Sequence, residues 1–404
     1  MDSGIHEPTE LKELGRGADT RDTLARARRA VKESGLDDWL VVDVDAHHFE
    51  NQSWGEIVDR IPSDVIRDIA RSFKRNGNVY PGIMQTSGWP PNQSVGGRVS
   101  HNQGLEERAE TEDGVHRDVV LIRRAMECMA VDYQITFPTP MLSLGLHPEV
   151  EVEVGVAQGY NAWLTENVLS TEDGIYSMLY LPFSDPEACE RIVEKYVDHP
   201  KVTGFTITSV RYRPVHHNSY MRLYRMIEES GKCLGFHAGP HWPNDGYVGQ
   251  LNRFISMHAI SFVLCNIVHM TNWVINGLNE RFPNLPVIWI ESGLAWLPFM
   301  QQRLDNEYLM RSSEAPNLKK LPSEYIADMY YTCQPMERTN MKMLEATFDS
   351  IKAPTQLLYA SDWPHWDFDL PTVISELPFL DEEAKRNILG RNAARLFGLD
   401  TKGK

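Results

Sequence analysis

At 404 residues, 42% hydrophobic and 24% charged, the chain has the composition of a globular protein that buries a sizeable core, and no apolar run reads as long enough to span a bilayer. A net charge of −16 excludes a surface built for nucleic acid or anionic lipid, which are bound by clustered Lys and Arg. The five cysteines are scattered without a CxxC pair, which excludes a zinc knuckle or disulfide framework, and the polar, acidic N-terminus lacks a signal-peptide pattern, so the expected location is cytoplasmic.

In chain order, residues 1–38 read as an N-terminal helical arm, because DTRDTLARARRAVKESG is charged and helix-prone and precedes any strand signal. A capping helix and an exchange arm of a homodimer both fit it. Residues 39–404 then alternate short apolar runs with polar turns and helical stretches, the pattern of repeated β-α units. The predicted strands are WLVVDVD (39–45), QITFPTP (134–140), YSMLYLP (176–182), VTGFTIT (202–208), CLGFHA (233–238), FVLCNIVH (262–269), VIWIES (287–292) and QLLYASD (356–362). Eight such runs make a (β/α)8 TIM barrel the expected fold, an α/β architecture whose chemistry sits at the C-terminal ends of the strands. A Gly-, Pro- and Asn-rich stretch at about 75–115 reads as an insertion after the first strand, either a lid over the mouth or a plain surface excursion.

Metal-ligating residue types fall at these strand ends. Asp45 and His47 leave the first strand two residues apart, on one side of an extended chain. His237 lies near the end of the fifth predicted strand, His269 ends the sixth and Asp362 ends the eighth. Taken singly, each is as well explained by a hydrogen-bonded core histidine or a turn-capping carboxylate; five residues at four strand ends together point to one converging site. Asp43 reads as a structural carboxylate one pleat deeper, and His48 as facing away from His47.

The motifs DVDAH (43–47), GFHAG, ESGLAW (291–296), LPSEY (321–325) and SDWPHWDFD (361–369) resemble the amidohydrolase superfamily. The similar branch includes aminocarboxymuconate semialdehyde decarboxylase, aromatic-acid decarboxylases and ring-cleavage-product hydrolases. The resemblance implies Asp45, His47, His237 and Asp362 as ligands of one divalent metal ion, Zn or Mn, with His269 and Asp362 as catalytic groups. It implies Glu291 as a carboxylate behind the ligands, or a ligand in place of Asp45. The fourth strand has no lysine to bridge two metals, and Pro240 stands where nucleobase deaminases carry glutamate.

Around the expected mouth, Arg211 and Arg213 form a candidate clamp for a substrate carboxylate, or are plain solvent-facing charges. Trp296, Trp363, Trp366 and His365 suit a flat aromatic or unsaturated substrate, or pack the loops there. The expected reaction is non-oxidative decarboxylation of an aromatic or unsaturated carboxylic acid. Hydrolysis of an amide or carbon–carbon bond by metal-activated water is the alternative, and an inactive binding barrel a third. The expected partner is a small molecule carrying a carboxylate or carbonyl.

Overall fold

In the computed structural model, residues 20–84, 114–170, 174–210, 213–239, 251 and 254–404 are described. Eight strands form one parallel sheet in sequence order: β1 Val42–His48, β2 Tyr133–Pro138, β3 Ile175–Tyr180, β4 Val202–Ile207, β5 Cys233–His237, β6 Val287–Ile290, β7 Tyr330–Thr332 and β8 Leu357–Leu358. The Val44 N–H donates to the Tyr359 carbonyl at 2.9 Å, joining the first strand to the last and closing the ring. The strands are apolar and almost wholly buried because helices cover their outer faces while side chains fill the lumen.

The lumen is packed by Val42, Val44, Ile135, Phe137, Met178, Ile288 and Ile290. Met178 crosses it over two glycines. A Cβ on Gly204 would lie 2.4 Å from the Cys233 carbonyl oxygen and 2.7 Å from Met178 Cε, so the side chain and the missing Cβ are complementary. A second apolar layer separates the strands from the helices, and the helix Thr20–Glu33 adds Leu24, Ala27 and Val31 to it.

Two sequence expectations are corrected. FVLCNIVH (262–269) is not a strand; it lies inside the 22-residue helix Phe254–Ile275. A run apolar on all sides carries neither a period of two nor one of 3.6, so pattern alone does not separate a buried strand from a buried helix. The strand that takes its place in the count is the short Tyr330–Thr332, so VIWI is the sixth strand and Glu291 follows the sixth. The same helix, over His258–Ile275, is apolar and long enough to cross a bilayer, contrary to the sequence reading. Here it packs on the barrel through Cys265, Met270, Trp273 and Val274.

Most of the expected insertion at 75–115 lies outside the described residues. Its start forms a two-stranded ribbon, Lys74–Arg75 with Asn78–Val79, followed by a single turn at Pro81–Met84.

Candidate metal centre

At the C-terminal end of β1 the register slips between Asp43 and Ala46, a bulge that re-aims the end of the strand. Asp43 remains below as a buried tether. It accepts from the Asp45 N–H at 3.2 Å and from both the N–H and the hydroxyl of Ser361. The Asp362 N–H then donates to the Asp45 carbonyl at 2.7 Å, so the first and last strand ends are pinned together.

Four side chains from three strands converge there: Asp45, His47, His237 and Glu291, all buried and with candidate donor atoms within 4.8 Å of one another. Both histidines have their orientation set from behind. Nδ1 of His47 lies 2.9 Å from the Pro138 carbonyl, and Nδ1 of His237 lies 2.7 Å from the Ala238 carbonyl. A carbonyl only accepts, so Nδ1 carries the proton and each Nε2 presents its lone pair to the cluster. Each Nε2 sits 3.3 Å from Asp45 Oδ1, and Glu291 Oε2 is 3.5 Å from His237 Nε2 and 3.9 Å from His47 Nε2. Asp362 Oδ1 closes the other side at 3.3 Å from His47 Nε2.

This is a set of acceptors facing acceptors. Among the described residues, Asp45 Oδ2, His47 Nε2, Glu291 Oε2 and Asp362 Oδ2 are all buried without a hydrogen-bond donor, an arrangement costly for polar groups shut away from water. Burial, then repulsion from neighbouring carboxylates, pushes the Glu291 and Asp362 carboxyls well above the usual range. Asp45 is likewise penalised by burial; the charge and hydrogen bonds of His237 and then His47, when these imidazoles carry a second proton, outweigh it and lower the carboxyl to about 2. A divalent cation held by Asp45, His47, His237 and Glu291 relieves this conflict, so the residues fit a metal ion.

The backbone is strained at the same place. Glu291 and Asp362 have φ of 53° and 60°, the left-handed region that side-chain-bearing residues rarely adopt. Such a conformation costs on the order of 1–3 kcal/mol and persists where surrounding bonds over-determine it. Here the Glu291 N–H donates to Thr332 Oγ1 at 3.0 Å, and the Asp362 N–H bond to Asp45 does the same service.

Behind Asp362 stands His365, completely buried. Its Nδ1 lies 2.6 Å from Asp362 Oδ1, its Nε2 lies 3.2 Å from Thr139 Oγ1, and its ring lies 4.2 Å from that of His47, tilted by 31°. The turn after β8 curls back, with the His365 N–H donating to the Asp362 carbonyl, and carries the imidazole inward. Thr139 is held in turn by Glu50, whose carboxylate accepts from the Thr139 and Met141 N–H groups. Neither Thr139 nor Glu50 carries a sequence signal of this role, because the link exists only across strand ends.

The other residues that the sequence singles out lie as follows. His269 lies on the helix Phe254–Ile275, with Nε2 3.4 Å from Cys265 Sγ and its ring against Phe236, which alternates with His237 and points to the outer face of β5. It is in the helix layer because its segment is helical. Trp363 is buried edge-on to Phe368, and Trp296 is buried with Nε1 donating to the Gly293 carbonyl; both pack loops. Arg213 is exposed and donates to the Ser184 carbonyl at 3.4 Å, while Arg211 lies outside the described residues. His48 faces away, bonded to Tyr160 and stacked on Trp163.

Comparison with known proteins follows the same line. Gamma-resorcylate decarboxylase of Polaromonas sp. (strain JS666) is 22% identical over 253 residues, 60% of this chain and 76% of the relative. The structure of 5-carboxyvanillate decarboxylase from Sphingomonas paucimobilis matches 90% of this chain and 100% of its own at 20% identity, with a TM-score of 0.65. Dihydroxybenzoic acid decarboxylase from Polaromonas sp. JS666, solved with bound manganese and 2-nitroresorcinol, matches 89% of this chain and 97% of its own at 16% identity and a TM-score of 0.62. A family model described as amidohydrolase matches residues 130–399, well over half of the sequence. The chain belongs to the amidohydrolase family.

Proposed function

We propose that this protein is a metal-dependent carboxy-lyase that removes carbon dioxide, without oxidation, from a hydroxylated aromatic acid. The observation that carries the reading is the buried cluster of Asp45, His47, His237 and Glu291 beside Asp362, in which acceptor atoms of Asp45, His47, Glu291 and Asp362 have no hydrogen-bond partner among the described residues. The decarboxylase relatives support it. Three carboxylates against two imidazoles favour manganese over zinc, both of which such a mixed set accepts.

When bound, the metal supplies positive charge for the oxygens of an acid and its neighbouring hydroxyl. His47, His237, Asp45 and Glu291 would hold it, with Asp362 at the edge of the set, and His47, His237 and Glu291 are themselves fixed by the Pro138, Ala238 and Thr332 contacts. Asp362 shares Oδ1 between His365 Nδ1 at 2.6 Å and His47 Nε2 at 3.3 Å, so a proton kept on the Asp362–His365 pair sits at the edge of the centre, from which it would be delivered to the ring carbon. Protonation of that carbon and loss of carbon dioxide return the carbon–carbon bonding pair to the ring, with no net redox change. His269 takes no part in this scheme.

The test is carbon dioxide release by manganese-loaded protein from a panel of hydroxylated benzoates. Release from at least one acid is expected; none from any would overturn the reading in favour of hydrolysis by metal-activated water.

A further inference from the structure

The helix Phe254–Ile275 has no Asp, Glu, Lys or Arg, yet it buries the carboxamide of Asn266 completely. An amide in an apolar layer is costly unless it is hydrogen-bonded. The helix is the crossover between β5 and β6, and Asn266 meets the ends of both. Its Nδ2 lies 3.1 Å from the Phe236 carbonyl and 3.3 Å from the Ile290 carbonyl, and it donates to Ser292 Oγ as well. Carbonyl oxygens only accept, so the amino end of the amide faces the strands; Oδ1 has no hydrogen-bond partner among the described residues.

The two carbonyls belong to the residues immediately before two candidate ligands. Phe236 precedes His237, and Ile290 precedes Glu291. The Ile290 carbonyl also accepts from the Ala238 N–H at 2.9 Å and from the Ser292 hydroxyl at 3.0 Å, while the Glu291 N–H donates to Thr332 Oγ1. The peptide plane leading into Glu291 is thus held at both edges, and the left-handed φ of 53° at that residue starts from a fixed plane. One amino group therefore ties together the planes from which the His237 imidazole and the Glu291 carboxylate project. A second buried amide supplies the contrast. Asn161, on the helix Val150–Trp163, donates to the Tyr180 carbonyl at 2.9 Å and accepts from the Tyr180 N–H at 3.2 Å, at the end of β3, which carries no candidate ligand.

We propose that Asn266, together with Ser292, is a positioning residue of the metal centre. It fixes the spacing of His237 and Glu291 from the helix layer, so that both donors reach one ion. This rests on the metal centre of the proposed function and adds to it a residue outside the donor set. Groups that orient ligands from behind contribute about 10- to 100-fold to metal affinity.

The experiment measures manganese binding to chelator-stripped full-length protein by titration calorimetry, with the melting temperature as a separate measure of the fold. Leucine is close to asparagine in shape and removes the amide. Asn266→Leu is expected to raise the manganese Kd about 10- to 100-fold. Asn161→Leu, the control, should lower the melting temperature but leave the Kd within about twofold of wild type. An unchanged Kd in Asn266→Leu, or an equal rise in Asn161→Leu, would overturn the proposal, because the amide then serves only the fold. Should either leucine variant fail to fold, Ser292→Ala decides: its Kd is expected to rise about tenfold and to be restored by Ser292→Thr, which keeps the hydroxyl. A Kd that Ser292→Ala leaves unchanged, or that Ser292→Thr does not restore, then overturns it. Wild type that takes up no manganese overturns the clamp together with the centre. Wild type that takes it up without releasing carbon dioxide from any hydroxylated benzoate overturns the reaction alone.

Discussion

The Asp362 N–H donates to the carbonyl of Asp45 at 2.7 Å, joining two candidate ligands from opposite ends of the sequence. The bond lies on the seam where the barrel closes. It therefore couples closure of the fold to assembly of the centre, since neither carboxylate is in place unless β1 and β8 are neighbours.

Metal and stability should be linked through that seam. Stripping the protein with a chelator is expected to lower its melting temperature, because three buried carboxylates are left without a counter-charge; at a free metal concentration 100 times the Kd the stabilisation is about 2.7 kcal/mol. Elemental analysis should return about one ion per chain. His237→Ala and Asp362→Ala should each lose metal and activity together, and a variant that keeps both would remove its residue from the centre.

His365 is expected to act through Asp362. Substitution His365→Ala removes the partner of Oδ1 and the link to Thr139, so metal affinity or kcat should drop about 10- to 100-fold while the far-ultraviolet circular dichroism is unchanged. Unchanged metal affinity and unchanged kcat would show that Asp362 holds its position unaided.

A pH effect is expected away from the centre, at Glu153 on the helix Val150–Trp163. Burial pushes its carboxyl up to about 7, with the Ser184 N–H and hydroxyl only partly offsetting. The folded state thus binds this proton more tightly than the unfolded chain. Stability from this group should fall as pH rises from about 4.5 through about 7 and then level off, by on the order of 3 kcal/mol. Urea denaturation of wild type and Glu153→Gln across that window measures it; parallel curves would refute the assignment.

The lumen offers a test of packing. Gly204→Ala would drive a methyl into the Cys233 carbonyl and Met178 Cε, and overpacking of this kind costs about 1–3 kcal/mol. Trimming the partner, as in Gly204→Ala with Met178→Ala, relieves only the side-chain clash. The single variant should therefore melt lower than wild type, and the pair should still fall short of it, because the carbonyl of β5 does not move.

Much of this protein is legible in its sequence. The alternation of apolar runs with helical stretches determines a (β/α)8 barrel, and Asp45, His47, His237 and Asp362 stand at strand ends because a parallel strand buried on both faces has room for polar chemistry only where it stops. Those signals are local, carried by a few adjacent residues. What only the tertiary structure decided is non-local. FVLCNIVH became helix and Tyr330–Thr332 became strand because apolar runs take whichever form the surrounding layer can bury, and with that exchange His269 went to the helix layer and Glu291 came to the metal centre. The inward turn of His365 depends on loops brought together by barrel closure, a distance that no spacing along the chain records.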